Sequence, residues 1–294
     1  MLSRILVLAL FAVSVLRAAP ATPLFDGRTL AGWEGDLKWW RVQDGALTGG
    51  SATEKVPKNF FLATTRSFQN FNLRVKIKLT GDPKTGMINS GVQIRSLRVP
   101  DHNEMSGYQV DAGDKWWGKL YDESRRNKVI AEPLDAAAAD AAVKKGGWNE
   151  YRIRTEGPRI RAWINGVPTL DYTEADPSVA LDGKIALQIH SGGIALVQAK
   201  DVTIERPSLW WLHEDNKAIR VGDYKIVAAK GDAWELYDLK TDRAEQNNLA
   251  AKMPEKVKEL ADLWQKQTDE TTALAKLTLN DQPKGRGAAK KKAK

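Results

Sequence analysis

The sequence predicts a mainly β protein, in which an antiparallel two-sheet jelly-roll sandwich is followed by a small C-terminal α+β module. The first observation is the short, regular spacing of alternating apolar segments and turn signals from Leu24 to Arg206. The second is a change of composition at residues 205–211, after which a hairpin and an amphipathic helix pattern follow. Together these observations divide the chain into a large β domain and a smaller unit.

Residues 71–79 show the clearest strand alternation in the chain. The apolar positions, predicted to point inward, are Leu73, Val75, Ile77 and Leu79, and the polar positions, predicted to point outward, are Arg74, Lys76 and Lys78. Residues 149–167 follow as a strand pair that turns at Gly157 and Pro158 and is closed by the hairpin signal Asn165–Gly166. These segments are typical of an antiparallel sheet.

Two helices are predicted. Residues 135–147 carry a capping Asp, a run of Ala, two Lys and a terminal Gly. A second helix is expected to begin at Pro254, after a hairpin centred on Gly222 and Asp223. Its apolar stripe, which must pack on something, consists of Val257, Leu260, Ala261 and Trp264.

The ends of the chain explain its net charge of +8. In residues 1–21, one Arg precedes an apolar run from Ile5 to Leu16 and small residues follow the run, a pattern typical of a secretory signal peptide. The apolar run is too short to span a bilayer. Residues 273–294 are expected to form a basic disordered tail, and with the two Arg of the signal they supply the whole charge surplus. The neutral remainder argues against a nucleic-acid partner, and the pattern predicts a secreted or periplasmic protein without a membrane span.

The central feature of the sequence is a set of strands with one polar face, at 89–95, 106–113 and 185–193. Alternation places Val92 and Ile94 on one side and Gly91, Gln93 and Arg95 on the other. The same period pairs Gln109 with Asp111 and Gln188 with His190 on polar faces. We therefore predict that these side chains form the floor of an open cleft that hydrogen-bonds a hydroxyl-rich ligand.

Residues 24–206 resemble the 3-keto-disaccharide hydrolase domain family, which is built as a concanavalin- or laminin-G-like jelly roll. The matching stretches are LFDGRTLAGWEG, NSGVQIRS, SGYQVDAG, WGKLYDE, GGWNEYRI and ALQIHSGG, in the order and spacing of the family. The resemblance implies an exported enzyme that cleaves the glycosidic bond of 3-keto-glycosides or 3-keto-disaccharides. It also implies that a separate sugar 3-oxidase acts upstream, because no dinucleotide-binding fingerprint is present here.

Residues 209–272 form a second predicted domain, and within it residues 209–268 resemble the C-terminal subdomain of arylsulfatases. The resemblance rests on NKAIRVGDYKIV and WELYDLKTDRAEQNNLA. The sulfatase formylglycine motif, C/S-x-P-x-R, is absent from the sequence. We therefore expect a module without sulfatase chemistry.

A ketone at C3 acidifies the proton at C2, so a base can start an elimination of the C1 substituent that water addition then completes. This route needs a base, an acid and donors for the enolate oxygen. The candidate catalytic residues are His190, Asp111 and Glu123. The candidate substrate-binding residues are Asn89, Gln93, Arg95, Gln109, Tyr121, Gln188, Trp116 and Trp117.

Three alternatives remain open at this point. The same polar face fits a non-catalytic carbohydrate-binding module, and a face filled by side chains would indicate an envelope protein without a sugar ligand. His190, Asp111 and Glu123 could also hold a divalent cation, although their spacing matches no metal motif and no metal ligand is assigned. A carbohydrate is the predicted partner of both the enzyme and the binding module.

Overall fold

The computed structural model describes residues 21–205 and 208–279. Except for Ala21, the predicted signal peptide therefore lies outside the described residues. The chain forms two compact units, one containing the described residues up to Glu205 and the other residues Ser208–Trp264. No helix within the described ranges is long and apolar enough to cross a membrane.

The first sheet of the large unit, sheet 1, has eight antiparallel strands in the order β13-β12-β11-β6-β15-β4-β3, with β1 added beside β15. Their bounds are β1 Thr22–Pro23, β3 Trp40–Gln43, β4 Ala46–Gly50, β6 Phe71–Gly81, β11 Asn149–Glu156, β12 Arg159–Ile164, β13 Val167–Thr173 and β15 Ala195–Glu205. The predicted strand at 71–79 is confirmed as β6, and the predicted pair at 149–167 as β11 and β12.

The second sheet, sheet 2, has seven strands in the order β10-β9-β8-β7-β14-β5-β2. Their bounds are β2 Trp33–Glu34, β5 Phe60–Thr64, β7 Asn89–Arg98, β8 Met105–Gly113, β9 Leu120–Glu123, β10 Lys128–Ala131 and β14 Lys184–Ile189. Strands β7, β8 and β14 carry the predicted polar face and lie side by side near the middle of this sheet. A single-turn 3₁₀ helix, Pro83–Thr85, precedes β7.

One apolar core joins the two sheets, as the predicted jelly-roll sandwich requires. The inward positions predicted from alternation are confirmed, since each of the following side chains is buried in this core: Leu73, Val75, Ile77, Leu79, Val92, Ile94, Ile185, Leu187 and Ile189. Their polar neighbours therefore point away from the core. The fold class predicted from the sequence is confirmed.

The helix α1 spans Ala136–Ala142 and is shorter than predicted. The Asp135 side chain accepts a hydrogen bond from the Ala138 N–H and caps the helix as expected. The helix ends before the two lysines because Val143 is already extended. Lys144 is held instead by Asn149, whose Oδ1 accepts from the Lys144 N–H.

The C-terminal unit is a four-stranded sheet in the order β16-β17-β18-β19, covered by the helix α2. The bounds are β16 Leu209–His213, β17 Asn216–Val221, β18 Tyr224–Ala228, β19 Glu235–Asp238 and α2 Pro254–Leu279. The predicted stripe is confirmed, since Leu260 and Trp264 pack in one cluster with Ile219 and Ile226. The helix continues to Leu279, so the predicted tail is helical at its start, and residues 280–294 lie outside the described part.

Candidate functional site

The pairing of three strands brings the predicted glutamines together on the face of sheet 2 that is turned away from the core. Gln93 on β7 lies opposite Gln109 on β8, and Gln188 on β14 lies opposite Gly91 on β7. The period-2 alternation of each strand accounts for this convergence. The prediction that these three side chains share a face is confirmed.

A chain of hydrogen bonds runs through these side chains in one direction. The Ser96 hydroxyl donates to Gln93 Oε1 at 2.6 Å, and Gln93 Nε2 donates to Gln109 Oε1 at 3.4 Å. Gln109 Nε2 then donates to Gln188 Oε1 at 3.2 Å, and Gln188 Nε2 donates to Glu123 Oε2 at 3.1 Å. Each amide accepts a hydrogen bond at its oxygen and donates one from its nitrogen, so the chain ends on the Glu123 carboxyl.

Gly91 makes this chain possible. A Cβ at position 91 would lie 2.5 Å from Gln109 Cγ and 2.6 Å from Gln109 Cδ. The side chain of Gln109 therefore passes over the bare backbone of β7 to reach Gln188 on β14. Any larger residue at position 91 would block that path.

The amides themselves are covered, which the sequence did not predict. Gln93 and Gln188 have no exposed surface, and Gln109 is 2% exposed. With so little exposed surface, these amides do not offer sugar hydroxyls the contacts that the sequence predicted. Their position makes them a rigid support for the groups at the edge of the cluster.

Asp111 lies next to Gln109 on the same face of β8. Its Oδ1 accepts from Gln109 Nε2 at 2.8 Å, while Oδ2 is buried and finds no hydrogen-bond partner among the described residues. Burial raises the pKa of Asp111 well above its usual range, against the opposing effect of the Gln109 bond. Burial thus disfavours the ionised form of this carboxyl, whose Oδ1 holds Gln109 in place.

Glu123 is the half-exposed carboxyl at the end of the chain. Burial, followed by the nearby Glu104 carboxylate, raises the pKa of Glu123 to about 7, and the bond from Gln188 partly opposes that rise. A carboxyl with this pKa exchanges a proton readily near neutral pH. Such matching of pKa to the working pH is what general acid–base catalysis requires.

Glu104 is a residue that the sequence analysis missed. It lies in the loop before β8, and burial raises its pKa, while His102, the side chain of Asn59 and His190 oppose the rise. The alternation of side chains along a strand could not predict its position, because Glu104 lies in a loop and approaches Glu123 from there. Its only signal in the sequence is an acid one residue ahead of a strand of the polar face.

His190 follows β14 and is half-exposed. Its Nδ1 lies 2.8 Å from the Ser191 carbonyl oxygen, and a carbonyl only accepts, so Nδ1 carries a proton. In the neutral ring Nε2 is therefore left as the proton acceptor. The His190 N–H donates to the Asn89 carbonyl at 3.2 Å, which ties the histidine to the first residue of β7.

Asn89 itself is a buried residue opposite Gly113 on β8. Its Nδ2 lies 2.9 Å from the position that a Cβ on Gly113 would take, so the two strands approach closely here. The side chain lies on the same strand face as Gly91 and Gln93.

Aromatic residues lie beside Glu123. Tyr121 is opposite Gln109, and burial, Glu123 and Asp111 raise its pKa. Trp116 meets Tyr121 edge to face, with the ring centroids 6.1 Å apart. Both rings are half-exposed. Trp117 was predicted to bind substrate as well, but it is buried in the sandwich core, because neighbouring residues of this turn point to opposite sides.

Arg95 does not join the polar face, contrary to the strand prediction. A β-bulge interrupts the pairing of β7 with β8 after Ile94, and Arg95 has a left-handed backbone with φ of 48°. Its guanidinium donates to the Gln69 carbonyl through Nε at 3.2 Å and through Nη2 at 3.1 Å. Ser96 takes the place that alternation assigned to Arg95.

The described residues contain no group of three His, Asp or Glu side chains arranged to hold a metal ion. The accessible groups are a carboxyl with a pKa near neutrality, an imidazole nitrogen and two aromatic rings. This arrangement can remove and return protons on a ligand that rests against the aromatic edge.

The two-sheet β-sandwich defines the large unit as a jelly-roll domain. A family model described as the 3-keto-alpha-glucoside-1,2-lyase-like domain matches residues 20–205, and the chain belongs to this family. The match ends before the C-terminal unit, so the resemblance of residues 209–268 to arylsulfatases stays a prediction.

Among curated proteins, no relative matches this sequence. Among solved structures, the chain is similar to a candidate glycosyl hydrolase from Parabacteroides distasonis, with 22% identity, coverage of 64% of this chain and 99% of the other, and a TM-score of 0.46. It is also similar to the carbohydrate binding module CBM66 from Bacillus subtilis, with 18% identity, coverage of 59% and 95%, and a TM-score of 0.45. A Bacillus subtilis protein with a galectin-like fold gives 12% identity, coverage of 65% and 97%, and a TM-score of 0.46.

Proposed function

We propose that the protein cleaves the glycosidic bond of 3-keto-glycosides by acid–base chemistry, through elimination followed by hydration. The family places the domain among carbohydrate-active proteins. The observation that carries the proposal is Glu123, a half-exposed carboxyl with a pKa raised to about 7 and an orientation held by Gln188. An ordinary glycosidase would present two spaced carboxylates, whereas elimination beside a ketone needs one poised base.

The proposed reaction begins when ionised Glu123 removes the proton from C2 of the 3-keto sugar. The electrons of that C–H bond form an enolate with the C3 oxygen. Collapse of the enolate restores the ketone, forms a C1–C2 double bond and breaks the bond from C1 to the aglycone oxygen, which takes up a proton. Water then adds its hydroxyl to C1 and a proton to C2, which gives the free 3-keto sugar.

His190 is the proposed second proton carrier. Because the Ser191 carbonyl fixes Nδ1 as a donor, Nε2 is the nitrogen that exchanges protons with the substrate. In the doubly protonated ring Nε2 donates its proton to the leaving oxygen, and the neutral ring that results then takes a proton from the attacking water. Glu104 lies within electrostatic reach of both Glu123 and His190. Its negative charge favours the protonated form of Glu123.

The remaining candidates receive supporting roles in this proposal. Trp116 and Tyr121 offer half-exposed ring surfaces, on which a sugar ring can stack. Asp111, Gln93, Gln109 and Gln188 are positioning residues, since their burial leaves them to act through Glu123.

The substrate also implies a partner reaction. A glycoside that carries a ketone at C3 must first lose two hydrogens at that carbon, so we propose that a separate sugar 3-oxidase acts upstream. The apolar run at the start of the sequence supports export of the protein, which would place the cleavage outside the cytoplasm.

The test is incubation of the purified protein with a 3-keto-glucoside and with 3-keto-trehalose, with release of the aglycone measured by chromatography. Glu123→Gln is expected to lower kcat/KM by about 100-fold or more, as loss of a general base does. Glu255→Gln removes an exposed carboxylate from α2 and serves as the matched control. Absence of cleavage by folded wild-type protein, or full activity of Glu123→Gln, would refute the proposal.

The second candidate function is a carbohydrate-binding module without turnover. The half-exposed rings of Trp116 and Tyr121 favour it, because such rings can stack on a sugar without taking part in proton transfer. The burial of the three amides is instead what the interpretation without a sugar ligand predicts. Calorimetric binding of a 3-keto-glucoside that stays intact, and that weakens in Trp116→Ala, would support binding over catalysis.

A further inference from the structure

The opposite side of the large unit carries a cavity. It lies on the face of sheet 1 that is turned away from the core and has a volume of about 390 Å³. This volume falls in the range of about 300–1,000 Å³ that is usual for small-ligand sites. The cavity is lined by Lys76, Lys144, Trp148, Glu150, Asn165 and Lys200.

The cavity concentrates positive charge. Lys76 on β6 and Lys200 on β15 are direct cross-strand partners, and like charges in that position repel each other. Lys76 is paired with Asp201 at 2.8 Å, but Lys144 and Lys200 have no carboxylate within ion-pair distance among the described residues. Two unneutralised ammonium groups therefore border the cavity.

An aromatic ring contacts Lys200 and a further lysine, Lys78. Lys200 Nζ is 4.4 Å from the centroid of the Trp148 ring, and Lys78 Nζ is 5.7 Å from it. The ring holds the two ammonium groups over it by cation–π attraction. Trp148 is itself half-exposed, so part of its surface stays available to a ligand.

A rigid backbone supports the cavity. Asn149, 1% exposed, accepts from the Lys144 N–H at 2.7 Å and donates to the carbonyls of Lys144 and Gly147, both at 3.0 Å. Asn165 donates to Asn149 Oδ1 at 2.8 Å and accepts from the Glu150 N–H at 2.9 Å. These bonds fix the positions from which Lys144 and Trp148 project.

We propose that this cavity is a second carbohydrate site, which binds an acidic saccharide. A pyranose ring would rest against Trp148 while its sulfate or carboxylate group pairs with Lys144 and Lys200, and Glu150 would accept from a hydroxyl. A cavity with a single aromatic ring fits one sugar unit better than a nucleic-acid strand, which needs successive stacking rings along a groove. The site is independent of the proposed cleavage reaction.

The test is titration of the full protein with short oligosaccharides of dextran sulfate, of polygalacturonate and of neutral dextran, followed by calorimetry. We expect the sulfated or the carboxylated saccharide to bind and the neutral one not to. The double variant Lys144→Gln/Lys200→Gln should weaken that binding by about tenfold or more, and so should Trp148→Ala. The two acidic saccharides together identify which anionic group the site accepts.

The matched control is Lys38→Gln/Lys128→Gln, which removes the same charge from exposed lysines outside the cavity. It should leave the affinity within about twofold. The proposal is overturned if neither acidic saccharide binds, or if the control weakens binding as much as the cavity variant. Two results together would also overturn it: inorganic polyphosphate binds with the same affinity as the acidic saccharide, and Trp148→Ala leaves the affinity for that saccharide unchanged. Binding would then depend on charge alone.

Discussion

Gln188 Nε2 donates a hydrogen bond to Glu123 Oε2 at 3.1 Å, and it is the last bond of a chain that begins at Ser96. The bond joins a fully buried amide on β14 to a half-exposed carboxyl on β9, two strands that are separated in the sheet by β7 and β8. The buried network therefore sets the orientation of the Glu123 carboxyl, while burial and Glu104 raise its pKa.

Gln188→Leu should raise the pKa of Glu123, because the bond from Gln188 favours the ionised carboxylate. If Glu123 is the base, the rising limb of kcat/KM against pH should move upward by about one pH unit, since a hydrogen bond to a charged group contributes about 1.5–3 kcal/mol. The control Gln198→Leu, on the outer face of sheet 1, should leave the profile in place. An unchanged profile in folded Gln188→Leu would contradict the assignment.

Glu123→Gln should stabilise the protein more at pH 8 than at pH 5. The folded pKa of Glu123, about 7, lies above the ordinary value of 4.5, so its favourable contribution is complete below 4.5 and is lost as pH rises through 7. The amide of the Glu123→Gln variant does not ionise, so its contribution to stability does not fall with rising pH. Thermal unfolding of wild type and variant at both pH values measures the difference, and a gap in Tm that does not widen with pH would count against the raised pKa.

Gly91→Ala should destabilise the large unit by about 1–3 kcal/mol, the usual effect of overpacking a buried site. The new Cβ would overlap the side chain of Gln109, which would have to leave its path to Gln188. Denaturant unfolding measures the loss.

The matched comparison for this change is the double variant Gly91→Ala/Gln109→Ala. Truncation of Gln109 removes the atoms that the new Cβ meets, so Gly91→Ala should be nearly neutral in that background. An equal loss in both backgrounds would show that the clash with Gln109 is not the cause.

Trp116→Ala and Trp117→Ala should separate the two tryptophans by their effects. Trp117 belongs to the sandwich core, so its truncation should lower the free energy of unfolding by about 3–5 kcal/mol. Trp116 lies at the edge of the candidate site beside Tyr121, and its truncation should cost about 1 kcal/mol or less in stability.

The same pair separates ligand contact from packing. Trp116→Ala should raise KM for a 3-keto-glucoside, or weaken its binding, by about tenfold. Trp117→Ala, assayed below its unfolding temperature, should retain the wild-type KM. A raised KM in Trp117→Ala together with an unchanged KM in Trp116→Ala would contradict the prediction and would place the sugar against Trp117.

Alternation along the strands was enough to predict the two-sheet sandwich and the shared face of Gln93, Gln109 and Gln188. The rule depends only on the pleat of an extended backbone, so it holds wherever the strand is regular. It failed at Arg95, where a bulge with a left-handed residue shifts the alternation by one position. The bulge follows from packing between strands, which a local pattern does not contain.

Loops set the second limit on prediction. Glu104 approaches Glu123 and His190 from a segment with no periodicity, so no spacing in the sequence indicated it. Asp122, next to Glu123, is fully buried and paired with Arg125 and Arg126, which is a structural role that its neighbour does not share. Only the positions of these side chains in three dimensions distinguish the two acids.

By itself, the sequence determined the β-sandwich, the order of its segments and which side chains leave each strand on the polar side, because those follow from local backbone geometry. Only the tertiary structure decided that the glutamines are buried supports and that the proton affinity of Glu123 is shifted toward neutrality. The physical reason is that burial and electrostatic interaction depend on distances between residues far apart in the chain, and these distances exist only after the sheets have assembled.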